Sequence, residues 1–189
     1  DFEATGDNLT YSQHRGAADL HTDTQYFPEP EEVIALWCLR ADKNGIGENI
    51  LVDGREVIRQ LIQSGRQQIL KLLKDHVYPF RVPTSFTKTG TDESIEVFVG
   101  PILSEKPLVR YRKQTINRAR SITGHEIDEP HINAMNDFND LINQEGCGNR
   151  QLLKRGQVLF VNNHEILHGR TAFTDPERHL LRIRLNLHQ

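Results

Sequence analysis

Only two of the 189 residues are cysteine, one is methionine and one is tryptophan. Cys38 and Cys147 lie far apart and form no C-x-x-C pair, so they read as reduced thiols in a reducing compartment. No apolar run approaches the ~18 residues of a membrane-spanning helix. The opening residues, Asp1 to Gly6, lack the form of a signal peptide. Charge of one sign is not in excess: 23 Lys and Arg face 26 Asp and Glu, for a net charge of −3. A basic stripe for nucleic acid and an acidic tail for a basic partner are both missing. Internal repeats and low-complexity tracts are missing as well. These absences are expected of a soluble, cytoplasmic chain with no nucleic acid or membrane partner. Its oligomeric state is open. The length fits one domain, residues 1–189, which buries roughly 70% of its unfolded surface without a disulfide.

Short strand patterns outnumber helical ones. Val33 to Leu39, Asn49 to Asp53, Ile95 to Val99, Leu108 to Arg112, Gln157 to Asn162 and His179 to Leu187 read as strands. Asp42 to Gly47 reads as a turn. Arg55 to His76 carries a helical spacing broken at Gly65 and ended by Pro79 and Pro83, and a second helix starts at Pro130 and closes at Gly146. Short strands with frequent turns predict a mostly β fold with helical insertions, built on a jelly-roll (double-stranded β-helix) core or a barrel.

Against this background His21-Thr22-Asp23 and the distant His168 stand out. Two histidines and one carboxylate form the 2-His-1-carboxylate facial triad, which holds non-haem Fe(II) on one face and leaves the other open. If His21 and Asp23 share a strand, positions i and i+2 point to one side. His168 follows an apolar strand and the polar turn Asn162-Asn163-His164-Glu165, which predicts an imidazole at a strand end facing a cavity. The other histidines, from His14 to His188, read as structural or exposed. Zn²⁺ also accepts three such ligands plus a water. A zinc-dependent hydrolase and a non-catalytic metal-binding jelly roll therefore stay open on these residues alone.

The final strand has an unusual parity. Arg178, Leu180, Arg182, Arg184 and Asn186 share one face, and His179, Leu181, Ile183, Leu185 and Leu187 share the other. Either the apolar face meets the core, or the arginines point into a cavity where a bound carboxylate pairs them. Arg110 and Arg112, on the expected strand 108–112, read either as contacts to an anionic substrate group or as solvated edge residues.

Together these stretches resemble the taurine dioxygenase-like (TauD/TfdA) family of Fe(II)/2-oxoglutarate-dependent oxygenases, which includes γ-butyrobetaine hydroxylase and clavaminate synthase-like amino-acid hydroxylases. The similarity lies in His21 to Tyr26, Gly47 to Gly54 and Gly156 to Arg184, and the Leu-His-Gly-Arg-Thr-Ala-Phe run followed by Arg178 is its most specific part. It implies His21, Asp23 and His168 as Fe(II) ligands, with 2-oxoglutarate as co-substrate and O₂ as oxidant. Arg178 would grip the distal carboxylate of 2-oxoglutarate. Arg182 would lie near co-substrate or substrate, and Asn49 stands where many members carry a threonine. The products would be succinate, CO₂ and a hydroxylated or desaturated small polar substrate such as an amino acid or amine. Asp23 argues against the halogenases of the superfamily, which lack that carboxylate. Members usually carry many more residues before H-x-D than the 20 found here, so the early strands are expected to be trimmed or to lie outside this sequence.

Overall fold

The computed structural model of the chain describes residues 15–83 and 96–187. Its strands and helices alternate in blocks. β1 (Ala18–His21), β2 (Val33–Arg40) and β3 (Asn49–Asp53) come first, followed by α1 (Gly54–Gln63) and α2 (Gln67–Leu73). β4 (Tyr78–Arg81) and β5 (Val97–Gly100) precede α3 (Lys113–Thr123) and α4 (Glu129–Ile142). β6 (Asn149–Gln151), β7 (Val158–Asn162), β8 (Ile166–Arg170) and β9 (His179–Leu185) complete the described residues. The helices thus sit in two insertions between strands.

The described strands form three antiparallel sheets. β1-β8-β3-β6 forms one, β7-β2-β9 faces it, and β4-β5 is a separate hairpin. The four-stranded sheet sorts its side chains by the two-residue period of a strand. Leu20, Val52 and Leu167 point to one face and join the main apolar cluster with Val57, Leu61, Met135 and Phe138 of the helices. His21, Asn49 and His168 point to the other face, toward β2 and β9, where they line a shared cavity with Leu36 and Leu180. This two-sheet arrangement with helices on one outer face is the expected jelly-roll core.

Local chemistry explains the helix ends. Asp53 caps α1 by accepting from the Arg55 N–H, and Asp128 caps α4 by accepting from the His131 N–H. Gly65, at φ 75°, separates α1 from α2 at the expected break. No helix among the described residues is long and apolar enough to cross a membrane. Cys38 and Cys147 are separate thiols.

Some elements depart from the sequence reading. Leu108 to Arg112 is not a strand; it carries one isolated bridge, Leu103 to Val109, and scattered backbone hydrogen bonds. Tyr78–Arg81 is a strand although it contains Pro79, because a two-stranded hairpin leaves the proline on an edge. α3 escaped the reading because only Ile116 and Ala119 of its 11 residues are buried. Ile95, His14 and His188 lie outside the described residues.

Candidate metal centre

β1 and β8 place the two histidines side by side. His21 and His168 are cross-strand partners, and their rings lie 4.5 Å apart between centroids, tilted by 45°. A register shift between Ala18 and His21 marks a bulge, which lets both residues face the cavity despite their odd spacing. His168 sits in the middle of β8 rather than at a strand end. Asp23 lies beyond the end of β1, so strand alternation does not aim it. A turn does so instead. Thr24 adopts φ 50°, a left-handed conformation uncommon for a residue with a branched side chain.

The three side chains converge. Asp23 Oδ1 lies 3.5 Å from His21 Nε2 and 3.8 Å from His168 Nε2. One ligand atom from each residue falls within 4.8 Å of the others, and all three residues are buried. His21 Nδ1 is 2.7 Å from the Asp19 carbonyl, which can only accept, so Nδ1 carries the proton and Nε2 offers its lone pair to the centre. His168 Nδ1 is buried without a hydrogen-bond partner. Burial first, then the neighbouring His21, holds the His168 pKa down to about 3, so its imidazole is neutral. Burial alone would raise the Asp23 pKa; the adjoining His21 and His168 rings and the Arg182 cation overcome it and keep the carboxyl well below its usual range. Two imidazoles and an ionised carboxylate suit a first-row divalent ion and leave its other coordination positions to small molecules. The residues present therefore fit such a metal.

β9 supplies the charge around this centre. Its arginine face turns inward, and Leu181, Ile183 and Leu185 of the opposite face are exposed. Arg182 Nη1 lies 3.0 and 2.8 Å from the two Asp23 oxygens, and Arg184 Nε lies 3.6 Å from Oδ2. A cavity of about 170 Å³ opens beside the triad, lined by Asn49, Arg178 and Arg182 among others. Arg178 rests 4.6 Å over the Phe173 ring and donates from Nη2 to the Gly47 carbonyl at 3.0 Å. Gly47 is required there: at φ 84°, a Cβ would lie 3.0 Å from Arg178 Nε and from Phe173 Cβ. Asn49 is buried and donates one amide hydrogen to the Gln151 carbonyl at 3.2 Å.

Not every expected site residue comes to the cavity. Arg110 is buried, and its guanidinium donates to the carbonyls of Gln25, Phe27 and Pro28 while stacking 4.6 Å from the Phe98 ring. It braces the loop after Asp23 instead of facing the cavity, as the absence of strand 108–112 makes understandable. Arg112, at the N-terminus of α3, lies close enough to act electrostatically on His168 and Tyr26. Asn163, which the sequence places in the polar turn before His168 without a role, binds the Asp23 main chain. A polar residue closing an apolar strand five positions before His168 was the only signal for it.

Comparison with known proteins agrees with this geometry. The model of the taurine catabolism dioxygenase TauD, TfdA family matches residues 2–184. The mitochondrial trimethyllysine dioxygenase of Mus musculus is 31% identical over 170 residues, covering 84% of this chain and 38% of that protein. That of Bos taurus is 30% identical over 170 residues with the same coverage. The chain thus spans well under half the length of the curated relatives it matches. Among solved structures, an asparagine oxygenase in complex with Fe(II), 2S,3S-3-hydroxyasparagine and succinate superposes with a TM-score of 0.71 at 18% identity, covering 93% of this chain and 51% of that one. The non-heme iron oxygenase OrfP in complex with Fe and alpha-ketoglutaric acid gives 0.61 at 18% identity, covering 88% and 48%. These two share the fold.

Proposed function

The chain belongs to the taurine catabolism dioxygenase TauD, TfdA family, and from this premise we propose that it is an Fe(II)- and 2-oxoglutarate-dependent dioxygenase. Its reaction would hydroxylate or desaturate an unactivated C–H bond of a small polar substrate and release succinate and CO₂. One observation carries the reading: His21, Asp23 and His168 converge beside a cavity that also receives Arg178 and Asn49. The relatives are named as dioxygenases of trimethyllysine, and the structural neighbours as oxygenases with amino-acid products, which favours an amino acid or amine.

His21 Nε2, an Asp23 oxygen and His168 Nε2 would hold Fe(II). When bound, the metal would supply O₂ activation and the oxidative decarboxylation of 2-oxoglutarate. The protein's part is binding, orientation and exclusion of water. Arg178, steadied by Phe173 and Gly47, has guanidinium N–H groups to grip the distal carboxylate of 2-oxoglutarate. Asn49 adds the amide hydrogen not used on Gln151. Leu36, Leu180 and Phe173 give the cavity apolar walls. Arg182 and Arg112 add positive charge near Asp23 and His168, which suits a substrate with an anionic group. Separate Cys38 and Cys147 thiols accord with a reducing, cytoplasmic setting.

A turnover assay tests the proposal. Fe(II) and 2-oxoglutarate, offered with a panel of amino acids and amines, should give succinate at a rate that one substrate class raises clearly above the substrate-free background. Absence of succinate with every substrate and metal, together with ester or amide cleavage on adding Zn²⁺, would reject it in favour of a hydrolase.

A further inference from the structure

Asp23 has an unusual placement problem. It lies past the end of β1, next to a residue with left-handed backbone, so no sheet hydrogen bonding fixes it. Strained backbone of this kind persists only where its surroundings over-determine it. On one side, the Thr22 N–H donates to the Tyr111 carbonyl at 2.8 Å and Thr22 Oγ1 accepts from the Tyr111 N–H at 3.0 Å. For the Asp23 main chain the hydrogen bonds come from one side chain. Asn163 Oδ1 accepts the Asp23 N–H at 2.7 Å, and Asn163 Nδ2 donates to the Asp23 carbonyl at 3.1 Å and to the Glu31 carbonyl at 2.8 Å.

These demands select an amide. The site offers one backbone donor and two backbone acceptors, and Asn supplies one acceptor and two donors. Aspartate has no donor, and serine has only one. Turning the amide over would set two N–H groups against an N–H and an oxygen against two carbonyls, so its orientation is determined. Asn163 is 1% exposed, so water does not replace these bonds. Its own N–H donates to the Glu32 carbonyl at 2.8 Å, tying it to the far end of the same loop. It also stands in the turn that leads into β8, where His168 resides. The amide thus joins the segment carrying one candidate ligand to the loop carrying another.

We infer that Asn163 is a positioning residue of the metal centre: it acts on the ion through the main chain of Asp23. The inference rests on the reading of His21, Asp23 and His168 as metal ligands.

A double-mutant cycle read by Co(II) binding to the metal-free protein tests it, with affinity taken from titration and geometry from the ligand-field absorption. Asn163→Ala should weaken Co(II) binding about 10- to 100-fold, the usual loss when an outer partner of a ligand is removed, and should change the absorption. Asp23→Ala should weaken binding further, and adding Asn163→Ala to it should cost nothing more, because the route through Asp23 is already gone. Asn186→Ala removes a bond to Glu32 of the same loop without touching Asp23, and should leave affinity unchanged. Wild-type affinity and spectrum in Asn163→Ala, or a full additive loss in the double variant, would overturn the inference. If the alanine variant does not fold, Asn163→Ser, which keeps one hydroxyl, enters the same cycle with the same criteria. Failure of the wild type to take up Co(II) would overturn the metal reading, and this inference with it.

Discussion

Arg182 donates from a single nitrogen, Nη1, to both carboxylate oxygens of Asp23, at 3.0 and 2.8 Å. The guanidinium side chain is 27% exposed and the carboxylate side chain 4%. A buried carboxylate needs a cation, and this pair provides one that never loses its proton.

Arg182→Ala should therefore destabilise the metal-free protein by about 1–3 kcal/mol, the cost of leaving a buried polar group without its partner. Saturating Co(II) should recover part of the loss, because the ion neutralises the same carboxylate. Thermal melts with and without metal check both statements. An equal loss in both conditions would mean that Arg182 acts on the fold and not on Asp23.

Arg178→Ala should raise the 2-oxoglutarate requirement while leaving Fe(II) affinity within a few-fold. Removing one partner of a buried charge pair costs roughly 2–5 kcal/mol, or about 30- to several-thousand-fold. Gly47→Ala should act in the same direction but less, by crowding Arg178 and Phe173 and forcing an alanine to φ 84°. Titration of 2-oxoglutarate into the Fe(II)-loaded, oxygen-free protein measures both. If Arg182→Ala abolishes binding and Arg178→Ala does not, the two arginines exchange roles.

Much of this site was legible in the chain because its chemistry is concentrated in rare side chains. His21, Asp23 and His168 were found by residue type and order, and the structure brings them together. The route was less legible: Asp23 reaches the centre through a turn at Thr24, since β1 ends at His21. The parity of β9 was legible, but which face turns inward was not, because alternation is symmetric until a partner sheet is known. Here Leu36 and the Arg182 backbone are register partners, which turns Arg182 inward and leaves Leu181 and Ile183 exposed. Arg110 misled because a buried arginine that binds backbone carbonyls looks, in sequence, like one that binds a substrate. α3 and β4 were hidden for opposite reasons, a thin buried stripe in the helix and a proline in the strand.

Away from the metal, His131 should give the fold a pH dependence. Its ring lies between Asp75, at 2.9 Å from Nε2, and Asp128, against Nδ1, an arrangement that favours the imidazolium, in which both nitrogens donate. Burial opposes that charge, but the two carboxylates outweigh it and raise the pKa above the ordinary 6.5. A raised pKa means that the stabilisation is complete below the unfolded value near 6.5 and is lost as pH rises through the folded value. Both carboxylates are largely exposed, so solvent screens the pair and the effect is small. His131→Gln should flatten the decline in melting temperature above pH 6.5, and an unchanged profile would dismiss the clamp.

The most direct test of the central claim is a crystal structure of the protein grown without oxygen in Fe(II) and 2-oxoglutarate. The account predicts one metal ion held by His21 Nε2, Asp23 and His168 Nε2 at about 2.0–2.2 Å, with 2-oxoglutarate bound to it and its distal carboxylate on Arg178. A metal bound elsewhere, or an ion at the triad with 2-oxoglutarate absent at saturating concentration, would contradict it.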